Sequence, residues 1–325
     1  MLDANNSSGN SQTPSDSSNL KAITALYKFA KVSPERVPVI KQQIVDFCQA
    51  NNIYGLLLLS CEGINGTISS CEDSIKLFKD FIQEVPEYGK IAFKDSTAPF
   101  IPFKRLKVDI REEIVTLNRP DIVPLNDNNH HLSPEEWHKV LTSQEDYVLI
   151  DTRNFYEYEI GKFKGAVDPN TLHFSEFPKF VESQNYPKDK KILMYCTGGI
   201  RCEKALVYMQ QEGYQNVYQL EGGILNYIDK YKDKGQWEGE CFIFDHRVAL
   251  DGNLQPTKQY SLCPHCGNPG KEKISCVKCG TSAVICKHCQ KTPALNTCSK
   301  NCEHHYIRSS KSKKKQKTPN KFPSI

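Results

Sequence analysis

The sequence has no long hydrophobic run and no strong excess of charge of one sign. Its longest apolar stretch, Ile53–Leu59, is far shorter than the roughly 20 residues that a transmembrane helix needs, so we expect no membrane span. There are 42 Lys and Arg and 38 Asp and Glu. Seven of the basic residues and no acidic one lie in Arg308–Ile325, which leaves 35 against 38, a balance of −3, elsewhere. The body of the protein is therefore not a general polyanion binder, and a nucleic acid must be bound by a local patch or by this tail.

A secretory signal is missing as well. Residues 1–19 are rich in Asn and Ser and contain neither a basic nor an apolar segment, so we expect a disordered leader on a cytoplasmic protein. Cysteine, in contrast, is abundant, because eight of the 14 lie within Cys263–Cys302. In a reducing compartment, clustered cysteines indicate metal or redox chemistry more often than disulfides.

The first globular segment covers residues 20–118. Its apolar patterns follow the order β-α-β-β-α-β, which predicts a small ferredoxin-like α+β domain. Within it, Asn65-Gly66 predicts a tight turn, and residues 113–117 (EIVTL) predict a strand.

The second globular segment follows a predicted linker over residues 119–130 and covers residues 131–235. Short apolar strands alternate here with helical patterns, and we place the strands at 147–151, 164–168, 191–196 and 216–220. This alternation is typical of a parallel sheet covered on both faces. A Cys-rich module over residues 236–306 and a basic tail over residues 307–325 complete a multidomain α/β protein.

The segment Cys196-Thr197-Gly198-Gly199-Ile200-Arg201 lies where a buried strand ends and a helix begins. Parallel sheets bind ligands at this edge. The glycines allow several backbone N–H groups to point inward, and the helix N-terminus and Arg201 both favour a thiolate. We therefore predict a lowered pKa for Cys196, inside an anion-binding loop. The alternative is a buried structural cysteine, and for Cys202 we favour packing over resolution of a persulfide.

Together with Asp151-Thr152-Arg153 and residues 160–170 (IGKFKGAVDPN), this loop resembles that of a rhodanese domain, whose cysteine carries sulfane sulfur as a persulfide. Four residues separate Cys196 from Arg201, whereas the related phosphatase loops have five, so the loop resembles one sized for sulfur. The loop contains no histidine, which disfavours a Cys–His relay. We expect Asp151 and Arg153 to brace the loop rather than to react.

A wider resemblance, over about residues 20–290, is to the oxygen-dependent tRNA uridine hydroxylase family. The motifs that carry it are EGINGTI (62–68), PFKRLKV (102–108), SEFP (175–178), LMYCTGGIRCEKA (193–205), YQLEGGI (218–224) and WEGECFIFDHRVA (237–249). The resemblance implies 5-hydroxylation of the wobble uridine, position 34, with Cys196 as thiol or persulfide at the catalytic centre and Arg201 stabilising the anionic sulfur. It implies O2 as co-substrate and an unidentified electron donor, and no organic cofactor is evident.

Such an enzyme must hold the tRNA anticodon loop with its target base unstacked or flipped into the pocket. Lys104, Arg105 and Lys107 are candidates for phosphate contacts, beside phenylalanines that are able to stack on bases. Asn65 is a candidate for the same cleft. The alternatives are a solvated strand face for the basic residues and an ordinary hairpin for Asn65.

Four close pairs of cysteines occupy the Cys-rich module: Cys263 and Cys266, Cys276 and Cys279, Cys286 and Cys289, and Cys298 and Cys302. Eight thiolates suffice for two structural zinc sites of four cysteines each. Sequential pairing and a cross-brace are both compatible with the sequence. The alternatives to zinc are free or redox-active cysteines and an iron–sulfur cluster.

Two other functions remain open at this point. One is a rhodanese-type sulfurtransferase that carries a persulfide on Cys196. The other is a noncatalytic, zinc-containing RNA-binding scaffold.

Overall fold

A computed structural model describes residues 20–125 and 130–315 of the chain. The leader predicted over residues 1–19 lies outside the described residues, as do residues 126–129 of the predicted linker and 316–325 of the predicted tail. Within the described ranges, no helix is long and apolar enough to cross a membrane.

The N-terminal domain is a five-stranded sheet against which two helices pack. Its elements in chain order are β1 (Lys21–Phe29), α1 (Arg36–Ala50), β2 (Tyr54–Ser60), β3 (Gly63–Ser70), α2 (Glu72–Gln83), β4 (Phe93–Ala98) and β5 (Leu106–Ile110). The strand order is β4-β1-β3-β2-β5. Strands β2 and β5 are parallel, and the other neighbours are antiparallel. The predicted ferredoxin-like order is confirmed, and β5 adds a parallel strand at one edge.

The predicted turn at Asn65-Gly66 is wrong. The turn that joins β2 to β3 lies at Cys61-Glu62, and Asn65-Gly66 lies inside β3. Strand β3 is the middle strand of the sheet, and a Cβ atom at Gly66 would overlap the carbonyl oxygen of Leu56 on the neighbouring strand. This glycine is therefore required by the close packing of the two strands and not by a turn.

The predicted strand at residues 113–117 is also wrong. The carboxylate of Glu113 accepts hydrogen bonds from the backbone N–H groups of Leu117, at 3.1 Å, and Asn118, at 2.8 Å. The backbone N–H groups here are hydrogen-bonded to a side chain, and these hydrogen bonds take the place of pairing with a neighbouring strand.

The central domain is built on a parallel sheet. Its elements are β6 (His131–Leu132), α3 (Pro134–Leu141), β7 (Tyr147–Asp151), α4 (Phe155–Tyr158), β8 (Gly161–Phe163), α5 (Phe177–Ser183), β9 (Lys191–Tyr195), α6 (Ile200–Gln211), β10 (Val217–Leu220) and α7 (Gly223–Tyr231). Strands β6, β10, β9 and β7 lie in that order and pair in parallel. Helices α5 and α6 cover one face and α3 and α7 cover the other. The predicted parallel sheet with both faces covered is confirmed.

Residues 164–168 do not form the strand that the sequence predicts. Instead, β8 pairs antiparallel with β11 (Trp237–Gly239), outside the parallel sheet. The chain then turns at Gly165, whose φ is +77°, and Val167 meets the parallel sheet in an isolated bridge with Ile150. The apolar pattern here reflects this brief contact and not a continuous strand.

The Cys-rich module is made of short elements. They are β12 (Cys241–Phe242), β13 (Ala249–Leu250), β14 (Ser261–Leu262), β15 (Pro269–Gly270), β16 (Lys273–Ser275), β17 (Ser282–Val284), α8 (Lys287–Gln290) and α9 (Lys300–Lys315). Consecutive strands form three two-stranded sheets. The buried cluster contains Ile285 and three cysteines, so apolar burial alone stabilises this module little. Helix α9 continues into the segment predicted as the basic tail.

Candidate active site

The predicted sulfur loop closes the carboxyl end of β9. Cys196 follows this strand directly, and Gly199, with φ +101°, precedes the first residue of α6. That left-handed conformation favours glycine, and it lets the Gly199 N–H donate a hydrogen bond to Cys196 Sγ over 3.0 Å. Thr197, Gly198 and Ile200 are half-buried around the sulfur. The sulfur atom therefore lies at a helix N-terminus, where an anion is stabilised.

The environment of Cys196 favours its thiolate although the residue is only 2% exposed. Burial by itself raises the pKa of this thiol. The hydrogen bond with the Cys202 thiol, the charge on Arg201 and the backbone N–H groups of both residues act more strongly in the other direction, and together they lower the pKa to about 6. Burial and the neighbouring Cys196 raise the pKa of Cys202 well above its ordinary value. Of the two sulfur atoms, Cys196 thus carries the charge and Cys202 keeps its proton.

Arg201 is held by an acid that the sequence analysis did not identify. Its Nη1 atom lies 2.9 Å from Oε2 of Glu157 in α4, and the Glu157 side chain is fully buried. Its guanidinium carbon also lies 5.5 Å from the ring centroid of Phe244. Phe244 is 58% exposed, so an accessible aromatic ring stands beside the arginine of the loop.

Asp151 and Arg153 form a fully buried ion pair, and Asp151 lies beside Tyr195, the residue before Cys196. Arg153 Nη2 lies 2.6 Å from Asp151 Oδ2 and also donates to the carbonyl oxygen of Gly161 at 2.6 Å. Between them, Thr152 donates a hydrogen bond to the carbonyl oxygen of Tyr195 at 3.0 Å. The Thr152 hydrogen bond ties the end of β7 to the end of β9, and the Arg153 hydrogen bond ties it to β8. Neither charged group is open to a substrate, because both side chains are fully buried.

Two residues of the N-terminal domain reach the loop, and the sequence analysis missed both. Lys94 Nζ donates a hydrogen bond to the carbonyl oxygen of Gly198. The Tyr27 hydroxyl donates to Glu203 Oε1 on α6 over 3.0 Å, and it lies 3.1 Å from the position that a Cβ on Gly199 would take. Both side chains belong to strands that are distant in sequence from the loop, and no local pattern distinguishes them from solvent-facing residues.

The predicted RNA contacts divide into two groups. Lys104, Arg105 and Lys107 are exposed just before and within β5, and Lys107 forms an ion pair of 2.8 Å with Asp109. Asn65 instead donates its side-chain amide to the carbonyl oxygen of Ile114 at 2.9 Å. The structure thus uses Asn65 to hold its own chain, whereas the three basic side chains are accessible.

The eight clustered cysteines form two groups. One group contains Cys263, Cys266, Cys286 and Cys289, and the other contains Cys276, Cys279, Cys298 and Cys302. Within each group the sulfur atoms all lie within 4.8 Å of one another. The first pair thus joins the third and the second joins the fourth, so the arrangement is a cross-brace and not sequential.

The spacing of the sulfur atoms fits a metal ion bound by four thiolates. Several Sγ–Sγ distances are 3.5–3.7 Å, as between Cys266 and Cys286 and between Cys279 and Cys302. A tetrahedron with Zn–S bonds of about 2.3 Å has edges of about 3.8 Å. His265 lies between Cys263 and Cys266 in the sequence, but its Nε2 atom lies 2.8 Å from the carbonyl oxygen of Thr297, so this histidine is not needed as a metal ligand.

Comparison with known protein families assigns all three parts of the chain. Residues 21–114 match the UPF0176 acylphosphatase like domain, residues 133–230 match the rhodanese-like domain, and residues 238–303 match the rhodanase C-terminal domain. The rhodanese-like match contains Cys196 and its whole loop, and the C-terminal match contains all eight clustered cysteines.

Several curated relatives match most of the chain. It is 50% identical to the tRNA uridine(34) hydroxylase of Bdellovibrio bacteriovorus over 284 residues, which cover 87% of this chain and 80% of that protein. It is 42% identical to the tRNA uridine(34) hydroxylase of Agrobacterium fabrum, over 79% of this chain and 84% of that protein. At this identity and coverage, the chain belongs to the tRNA uridine(34) hydroxylase family.

Proposed function

We propose that this protein hydroxylates C5 of uridine 34 in tRNA, in the cytoplasm, with O2 as co-substrate and Cys196 as the reactive sulfur. The observation that carries the proposal is the Cys196 Sγ atom, which accepts a hydrogen bond from the Gly199 N–H at the start of α6 in surroundings that lower its pKa to about 6. Inserting one oxygen atom into the C5–H bond and reducing the other to water takes two electrons, so the reaction also uses an electron donor. The relatives are named as enzymes, which disfavours a noncatalytic scaffold.

The residues in and around the loop have different parts in this reaction. The Cys196 sulfur adds to C6 of the uracil ring, and the electrons of the C5–C6 double bond move toward C5 and O4, which makes C5 electron-rich and reactive toward an oxidant. Once C5 carries the new oxygen atom, loss of the C5 proton expels the sulfur from C6, which restores the double bond and the thiolate. Arg201 and the loop N–H groups keep the sulfur anionic before the attack. Asp151 and Arg153 position the loop from behind, and Cys202 donates its proton in a hydrogen bond without reacting.

The anticodon loop binds across the N-terminal and Cys-rich parts of the chain, beside the sulfur loop. Phe244, which is 58% exposed next to Arg201, stacks on a base. Lys104, Arg105 and Lys107 bind phosphates. These two regions are joined, because the His246 N–H donates a hydrogen bond to the carbonyl oxygen of Pro102 over 3.1 Å.

Each group of four cysteines holds one structural zinc ion. The donor set and the sulfur spacing suit zinc, and the small apolar cluster around Ile285 needs further stabilisation. The ions fix the fold of the module and take no part in the reaction.

The role of Cys196 is tested in a strain that lacks the gene and is complemented with wild-type or variant protein. Wild type restores 5-hydroxyuridine at position 34, and Cys196→Ser gives none, as measured by nucleoside mass spectrometry. Cys71→Ser is the matched control, because Cys71 is exposed at the N-cap of α2, where serine is favourable. Wild-type product from Cys196→Ser would refute the proposal.

A persulfide on Cys196 is the alternative chemistry, since the same N–H groups would stabilise a terminal sulfur anion. A sulfurtransferase would turn over thiosulfate and would need no oxygen. The hydroxylase reaction stops when O2 is removed, so an anaerobic assay with thiosulfate separates the two functions.

A further inference from the structure

The N-terminal domain presents a lysine to the sulfur loop from outside the central domain. Lys94 lies on β4, paired with Ala25 on β1, which places its side chain on the same face of the sheet as Tyr27. Its Nζ atom lies 5.3 Å from the Tyr27 ring centroid and donates a hydrogen bond to the carbonyl oxygen of Gly198. A cation from one domain is thus fixed directly over the loop of another.

Lys94 differs from the other charged groups around Cys196 in how its charge is balanced. Glu157 lies 2.9 Å from Arg201 and offsets much of its charge. Glu203 accepts a hydrogen bond from Tyr27 and lies 3.1 Å from His131. Among residues 20–125 and 130–315, no carboxylate lies within 4.0 Å of Lys94 Nζ. Lys94 is therefore the cation beside this loop that no acid neutralises directly.

We propose that Lys94 is a positioning residue of the active site, which stabilises the anionic form of Cys196 and fixes the Gly198 end of the loop. The sulfur site is then complete only when the N-terminal domain is in place. Tyr27 supports this arrangement, because its ring lies beside the lysine and its hydroxyl binds Glu203. Burial lowers the pKa of Lys94 below its ordinary value, and the negative charges of Cys196 and Glu203 oppose this effect. The lysine and the thiolate thus stabilise each other.

The proposal is tested by the pH dependence of Cys196 alkylation in the full-length protein. After reaction with iodoacetamide, trypsin releases Ile192–Arg201, a peptide in which Cys196 is the one cysteine, so mass spectrometry follows this site alone. In Lys94→Met, the midpoint, which is the pH at which the alkylation rate is half of its plateau value, rises by about one unit, because this is the smallest typical effect of a nearby opposite charge on a pKa. At pH values below both midpoints, the variant then reacts about tenfold more slowly than wild type.

Two further variants separate charge from structure. Lys94→Arg restores most of the wild-type midpoint, because it keeps the cation. Lys79→Met, which removes a lysine that pairs with Asp95 on the same domain, leaves the midpoint unchanged. Lys94→Gln keeps a donor for the carbonyl oxygen of Gly198 without the charge, so its midpoint rises as in Lys94→Met if the charge acts and stays at the wild-type value if only the anchoring of the loop matters. Lys94→Gln is also the neutral variant to use if Lys94→Met does not fold. An unchanged midpoint in the folded neutral variant, or no recovery in Lys94→Arg, overturns the proposal.

The readout does not involve tRNA or O2. If Cys196→Ser still formed 5-hydroxyuridine, the proposed function would fail while the role of Lys94 at the thiolate would stand. If hydroxylation requires Cys196 but the alkylation midpoint is the same in wild type and the Lys94 variants, the proposed role of Lys94 fails and the proposed function stands.

Discussion

The Nζ atom of Lys204 lies 2.7 Å from Oε2 of Glu62, and both side chains are buried. The lysine lies in α6, three residues after Arg201 of the sulfur loop, and the carboxylate comes from the N-terminal domain. Lys204 also contacts Glu113, and Glu62 accepts a further hydrogen bond from the Ile114 N–H at 2.6 Å. One buried cation thus holds two carboxylates of the neighbouring domain.

Removing this cation destabilises the protein. Lys204→Met leaves two buried carboxylates facing each other, and breaking a buried ion pair costs about 3–5 kcal/mol. We expect the free energy of unfolding, measured in urea, to fall by that amount. Lys230→Met is the control, because Lys230 pairs with Glu135 on the exposed surface; it leaves the unfolding midpoint unchanged. An equal midpoint for Lys204→Met and wild type would show that the pair is not a link between the domains.

The sulfur loop was predictable because its parts are contiguous. The end of β9, the two glycines and Arg201 follow one another in the sequence, so the helix N-terminus and the cation could be assigned together. Lys94 and Glu157 come from other elements, and only the packing of those elements brings them to the loop. No pattern in the sequence announces such long-range contacts.

The fold was predictable in the same way, from the periodicity of long elements. The errors concern two short strands, predicted at residues 113–117 and 164–168, and the turn at Asn65-Gly66, all of which depend on tertiary contacts. Gly66 suggested a turn, but it gives space to the backbone of Leu56. The RNA contact of Asn65 stays a prediction, and the structure adds a hydrogen bond from its side-chain amide to the carbonyl oxygen of Ile114. The grouping of the cysteine pairs depends on which short strands pack together. The spacing of the cysteines in the sequence does not determine that packing.

The Cys196 thiolate makes stability depend on pH. The pKa of Cys196 in the folded protein is about 6, below the ordinary value of about 8.5. The stabilisation is therefore fully present above about 8.5 and is lost as the pH falls through the folded value. We expect the difference in unfolding free energy between wild type and Cys196→Ala to grow from pH ~5.5 to pH ~8, as measured in urea with a reductant present.

A second cysteine provides the control for this measurement. Burial raises the pKa of Cys48 to about 12, so its thiol stays neutral in the folded protein throughout this range. The difference in unfolding free energy between wild type and Cys48→Ala is therefore constant up to the pH at which the thiol of the unfolded chain begins to ionise. Equal slopes for the two variants would mean that Cys196 is not ionised near neutral pH.

The cross-brace makes a specific prediction about zinc content. Cys263 and Cys286 belong to one group, and Cys263 and Cys276 belong to different groups. We expect elemental analysis to find two zinc ions per wild-type chain, one in the double variant Cys263→Ser with Cys286→Ser, and none in Cys263→Ser with Cys276→Ser. Sequential pairing would exchange the last two results, and a chain purified without metal would remove the zinc assignment.

Phe244 offers a test of base stacking beside the loop. Its ring packs edge-on against Phe242 at 5.0 Å and lies near Arg201, yet it remains 58% exposed. Stacking on one base contributes about 1–3 kcal/mol, so Phe244→Ala weakens binding of a tRNA anticodon stem-loop by roughly 5- to 150-fold, whereas Phe244→Trp keeps it. Leu172→Ala, a change at a similarly exposed apolar residue in the central domain, leaves the affinity unchanged.

Cys196 alkylation in Phe244→Ala stays at the wild-type rate if the ring acts on RNA alone. Equal affinity of Phe244→Ala and wild type for the stem-loop would assign the exposed ring to some other contact.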